Sequence, residues 1–93
     1  MDLNITIRDA DLNDAEALAL LATQLGYPCN GSEIIGRIDP YLDNPEARII
    51  VAVRNGTVVG WLSLNTIQHF YTKPFMEISG FVVDERERRK GIG

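Results

Sequence analysis

The residues of this chain that could do chemistry gather near its end. The last six read RRKGIG, comprising Arg88, Arg89, Lys90, Gly91, Ile92 and Gly93, and they follow an alternation of acids and arginine, DERE. Three consecutive cations and two glycines suit the binding of one compact anion. If the apolar run at residues 75–83 is a strand, and a helix opens near Gly91 or Gly93, the turn between them aims successive backbone N–H groups at one point. The positive end of the helix dipole converges there too, and such a nest binds phosphate oxygens. Glycine lets the backbone approach the anion without a Cβ in the way. The second candidate is Glu77, a carboxylate inside the otherwise apolar FMEISGFVV of residues 75–83. Burial there would raise its pKa toward the range of a general base.

Other anion-binding patterns are absent. There is no G-x-x-x-x-G-K-[ST] of a P-loop and no G-x-G-x-x-G of a dinucleotide fold. On spacing alone, a solvated basic turn accounts for RRKGIG better than a phosphate nest does. Charge distribution narrows the choice. The net charge is −4, but residues 1–46 carry nine acids against two cations, Arg8 and Arg37. Residues 47–93 carry seven cations against four acids, with four of those cations between 86 and 90. An acidic protein is a poor nucleic-acid binder, whereas a local basic knot fits a single anion.

Ninety-three residues suffice for one small domain, and 45% hydrophobic with 24% charged residues is ordinary for a globular fold. No apolar run approaches a membrane span, and MDLNITIRDA has neither a basic n-region nor an apolar h-region. The lone Cys29 has no intramolecular disulfide partner, and no Cys/His cluster suggests zinc or another metal. The cytoplasm is the expected compartment.

The elements that must position these residues are legible in the pattern. ITIRDA, residues 5–10, alternates as a half-buried strand does. Apolar residues at Leu12, Ala15, Leu18, Ala19, Ala22 and Leu25 have helical spacing, with Asp11 as the N-cap and Gly26 as the stop. Ser32 would cap a second helix through Ile34, Ile35 and Ile38, weakened by Gly36 and ended or kinked by Pro40. RIIVAVR, residues 48–54, reads as a strand, and Asn55-Gly56 predicts a hairpin into residues 57–67. Residues 69–74 read as a loop and residues 75–83 as a strand, with Ser79-Gly80 a plausible bulge. Strict alternation groups Glu77 with Ser79, Phe81 and Val83, and a bulge would change that. The expected fold is α+β (α/β): a mixed, mostly antiparallel sheet with helices against its faces.

With strand and turn in place, VVDERERRKGIG, residues 82–93, resembles the acetyl-CoA signature of the GCN5-related N-acetyltransferase (GNAT) family, in which V-V-D precedes a charged turn and R/Q-x-x-G-x-G/A. The order of elements matches the N-terminal half of that fold, down to L-G-Y-P after the first helix and N-G at the hairpin. The resemblance implies that backbone amides of Arg88, Arg89, Lys90, Gly91, Ile92 and Gly93 hold the pyrophosphate of coenzyme A. It implies that Phe81, Val82 and Val83 pair with the pantetheine arm as with a strand, an amide near Val82 meeting the thioester oxygen. Glu77 lies sixteen residues before Gly93, the spacing of the catalytic glutamate in the histone-acetylating branch, and would serve as the base. The bland reading of Glu77 is a solvated or ion-paired carboxylate.

The implied activity is acetyl transfer from acetyl-CoA to a primary amine of a small molecule or protein by direct attack. Acids in the N-terminal half would suit a cationic acceptor such as a polyamine, aminoglycoside or lysine side chain. Two alternatives stand beside it: a non-catalytic acyl-CoA binding or sensing module, and a basic-patch domain in which RERRK docks an acidic partner. No nucleic-acid or membrane partner is expected, and a homodimer is left open. His69 reads as a solvated loop residue rather than pocket lining, Tyr27 and Tyr41 as core or rim packing where the family's first helices line the acceptor site, Trp61 as core, and Cys29 as an incidental thiol. The family domain continues beyond this motif, so the expectation is a single GNAT-like domain over 1–93, incomplete at its C-terminus, and inactive as this fragment.

Overall fold

A computed structural model describes residues 4–87 of the protein, and at its front a strand and a helix start are tied together. Strand β1 (Ile5–Asp9) leads to Asp11, whose carboxylate accepts from the Asn13 N–H at 2.8 Å, while Asp14 accepts from the Asp11 N–H at 2.8 Å. This is the reciprocal capping box. It caps a short 3-10 turn (Leu12–Asp14) rather than the long helix directly. Asp14 is held there because Arg8 donates to both of its carboxylate oxygens at 2.8 Å, anchoring the turn to β1. Helix α1 (Ala15–Leu25) follows and stops at Gly26, where φ of 114° is open to glycine and the N–H caps the Thr23 carbonyl.

Helix α2 (Gly31–Ile38) begins earlier than the Ser32 cap predicts. Asn30 is the N-cap: its side chain accepts from the Glu33 N–H at 2.9 Å, and Glu33 accepts from the Asn30 N–H at 3.0 Å. A cap at Ser32 would place Ile35 at the reciprocating position, and an aliphatic side chain cannot accept a hydrogen bond. Pro40 lies in a 3-10 turn (Asp39–Tyr41) that carries the chain off α2.

Strands β2 (Ala47–Arg54), β3 (Thr57–Ile67) and β4 (Phe75–Val83) complete a sheet of order β1-β2-β3-β4, antiparallel at every pairing among the described residues. Asn55 and Gly56, with φ of 51° and 79°, form the two-residue turn whose twist suits a hairpin. The two helices share one face of the sheet instead of lying on both. Leu18 of α1 and Ile38 of α2 meet Ala10 and Val51, with Ile49, Val53 and Trp61 packed around them. The opposite face carries Ile7, Met76, Ile78 and Phe81, all exposed. No helix among the described residues is long and apolar enough to cross a membrane.

Candidate functional site

The site is shaped by a bulge in β4. Ser63 pairs with Gly80 but Leu64 pairs with Ile78, so Ser79 is the extra residue and faces no partner. The inserted residue reverses the alternation. Glu77, opposite Asn65, therefore shares a face with Gly80 and Val82, opposite Ser63 and Trp61, and this is the helix-covered face. Unbroken alternation would have grouped Glu77 with Phe81 and Val83. Glu77 is exposed, so the burial expected from the apolar run around it is not found.

The bulged serine organises the residues near Glu77. Asn65 Nδ2 donates to Ser79 Oγ at 2.5 Å, and Ser79 Oγ donates to the Ser63 carbonyl at 3.2 Å, with Ser63 Oγ 3.4 Å away. A polar strip thus runs from Ser63 through Ser79 and Asn65 to Glu77. At its Ser63 end it meets a cavity of about 140 Å³ walled by Leu18 and Ala22 of α1, Ile34 of α2, and Ile49 and Trp61 of the sheet. Gly80 makes room for this wall. A Cβ there would sit 3.1 Å from Trp61 Cζ3, so the indole lies across bare backbone at the bulge. The indole Nε1 is buried and meets no acceptor among the described residues.

The start of the basic stretch is pinned to the rest of the fold. Asp84, buried, accepts from the Arg86 N–H at 2.9 Å and from its guanidinium at 3.1 and 3.2 Å. These bonds from Arg86 hold the Asp84 carboxyl below the usual carboxylate range, against the opposing effect of burial. The Glu85 N–H donates to Gln24 of α1 at 3.0 Å, and Glu87 pairs with Arg54 of β2 at 2.9 Å, both side chains largely buried. Helix, sheet and turn together fix the direction in which the chain leaves β4.

Among the predicted donor-binding residues, Val82 and Val83 are buried opposite Trp61 and Gly60, and Phe81 is exposed on the far face. β4 is the edge strand of the described sheet, where alternate residues turn backbone N–H and C=O groups away from the neighbouring strand. An edge of this kind is where a further extended chain can pair. Arg88, Arg89, Lys90, Gly91, Ile92 and Gly93 lie outside the described residues. Tyr41 lies at the cavity, Tyr27 is exposed, and Cys29 is partly buried beside the Ala19 carbonyl. His69 stacks on Tyr71 with centroids 5.1 Å apart, in the loop before β4. Ser63 and Asn65 were not among the predicted site residues, and Ser79 was predicted only as part of the bulge. Their one visible signal is small polar residues recurring in otherwise apolar strands.

The family model of the GNAT acetyltransferases matches residues 13–93, nearly the whole chain. The chain belongs to the GNAT acetyltransferase family. No curated protein sequence matches it. Solved GNAT structures share its fold. A GNAT family acetyltransferase from Staphylococcus aureus superposes with a TM-score of 0.84 at 21% identity, over 97% of this chain and 70% of that one. The glucosamine-6-phosphate N-acetyltransferase of Arabidopsis thaliana gives 0.80 at 21% identity, over 95% and 65%. An aminoglycoside 6'-N-acetyltransferase from Acinetobacter baumannii gives 0.79 at 15% identity, over 95% and 63%. At these identities the likeness is one of fold. The GNAT chain described here spans about two thirds of their length.

Proposed function

We propose that this GNAT protein transfers an acetyl group from acetyl-CoA to a primary amine by direct attack. The observation that carries this reading is the bulge at Ser79, which turns Glu77 onto the helix-covered face beside the edge of β4. Acetyl-CoA, when bound, supplies an acetyl thioester. Backbone groups of Phe81, Val82 and Val83 would align it along β4, and the amides of residues 88–93 would take its pyrophosphate. The acceptor nitrogen forms the new C–N bond as the C–S bond breaks, and the departing thiolate takes up the proton that the acylated nitrogen loses, leaving as the thiol. Glu77, directly or through a water, accepts the proton that the ammonium must lose before attack. An amide near Val82 would donate to the carbonyl oxygen as negative charge develops on it.

The test is Glu77→Gln. Turnover is expected to fall by about 10²- to 10⁴-fold, the contribution of a general base, with CoA affinity unchanged. Unchanged turnover would remove Glu77 as the base. The exposure of Glu77 favours one second reading, an acyl-CoA binding module without transfer. Tight CoA binding with no acetylation across a broad amine panel would select that reading.

A further inference from the structure

The cavity beside the polar strip has a composition that restricts the acceptor. Its walls are aliphatic and aromatic, formed by Leu18, Ala22, Ile34, Ile49 and Trp61. Its volume is about 140 Å³, and an apolar cavity of about 150 Å³ takes up one benzene ring. None of the side chains lining it, among the described residues, is a carboxylate. The one charged lining residue is Arg37, which pairs with Glu33 at 3.6 Å. A second ammonium of a polyamine or aminoglycoside entering here would lose its water, find no acid, and approach a guanidinium. An uncharged ring or branched alkyl group meets none of these penalties.

The polar exit is as specific as the walls. Ser63 belongs both to the cavity lining and to the hydrogen-bonded strip through Ser79 and Asn65 toward Glu77. An amine attached to a ring in the cavity by a short linker would emerge at the Ser63 hydroxyl, the end of the strip that leads toward the glutamate on the same face. We infer that this cavity is the acceptor's apolar pocket, and that the acceptor is a primary amine borne on a single ring or compact branched alkyl group. The inference rests on the transferase reading for its reaction but not for its binding. It departs from the polycationic acceptor that the acidic N-terminal half suggests, because those acids do not line this cavity.

Trp61 is the sole tryptophan of the chain, so its fluorescence reports occupancy of the cavity without catalysis. The experiment titrates the purified protein with benzylamine, putrescine and kanamycin, first by fluorescence and then with acetyl-CoA for transfer. Expected are a saturable fluorescence change with benzylamine alone, and kcat/KM for benzylamine at least about tenfold above the two polycations. Ala22→Leu, which fills the cavity from α1, should abolish the fluorescence response and lower benzylamine turnover about tenfold while leaving CoA affinity unchanged. Ile34→Trp does not preserve the single reporter, so for that second variant the turnover ratio of benzylamine to ethylamine is read instead, and it should fall. Both variants are checked for cooperative melting. A benzylamine response without transfer to any amine leaves the pocket standing and removes the transferase reading. Transfer to putrescine or kanamycin with no benzylamine response removes the pocket and leaves the transferase reading. An unchanged fluorescence response in Ala22→Leu together with an unchanged benzylamine-to-ethylamine ratio in Ile34→Trp, both cooperatively folded, likewise overturns the pocket.

Discussion

Replacing Gly80 by alanine tests whether the bulge and the Trp61 ring are one structural unit. The new Cβ would stand 3.1 Å from Trp61 Cζ3 and 3.4 Å from Cη2. Carbon atoms are most favourable at about 3.5–4.0 Å, so the ring must retreat by roughly half an ångström. Overpacking of this kind costs about 1–3 kcal/mol. Gly80 is not among the positive-φ glycines, so alanine fits its backbone and restricts the unfolded chain, a gain of about 0.4–1 kcal/mol. The net expectation is a loss of about 1 kcal/mol, or roughly 4–8 °C in Tm for a domain of this size. In a Trp61→Phe background the shorter ring withdraws the clashing edge. There Gly80→Ala should stabilise by about 0.5 kcal/mol, leaving a coupling of about 1.5 kcal/mol. Urea denaturation of the four proteins measures the cycle. Equal effects in both backgrounds, within about 0.5 kcal/mol, would refute the contact as the reason for glycine at this position.

Three further outcomes follow from local geometry. Gly36→Ala, inside α2 with nothing within 4 Å of the added Cβ, should stabilise by about 1 kcal/mol, seen as a rise in Tm. Asn30→Ala should cost about 1 kcal/mol by removing the true cap of α2, and Ser32→Ala only a few tenths, so urea midpoints distinguish the two assignments. Hydrogen bonds from Arg8, and then the Asp11 N–H, hold the Asp14 carboxyl below its usual range against the effect of burial. A lowered folded pKa contributes stability above the unfolded carboxylate range, and that stability is lost as pH falls through the folded value. Arg8→Met should therefore lower the urea midpoint at neutral pH and flatten its fall between about pH 5 and 2. The expected cost is about 1–2 kcal/mol at neutral pH, moderated because the Arg8 side chain is 41% exposed.

Much of the scaffold could be read in advance because its signals are local. Gly26 ends α1 since only glycine enters that φ without strain, and Asn55-Gly56 makes the hairpin for the same reason. The Ser79-Gly80 bulge was also legible, as a small polar residue beside glycine inside an apolar run. The second helix start was misplaced because Ser32 and Asn30 are both good caps, and the decision belongs to the residue three positions on, Glu33. The sequence left Glu77 open between a buried base and a solvated carboxylate. An apolar run announces a buried strand, but β4 is the edge of the described sheet, and Met76 and Ile78 are exposed with it.

The sequence by itself determined the order of elements, their turns, the family signature and the identity of the carboxylate that could serve as a base. Each of these depends on neighbours a few residues apart, whose conformational preferences survive in any context. Tertiary structure decided which face Glu77 occupies, since one unpaired residue in β4 reverses every side chain beyond it. It also decided that both described helices cover that same face, and that Leu18, Ile34, Ile49 and Trp61 leave an apolar space between them. No local pattern encodes such a space, because its walls come from residues up to forty-three positions apart and exist only once helix and sheet have packed.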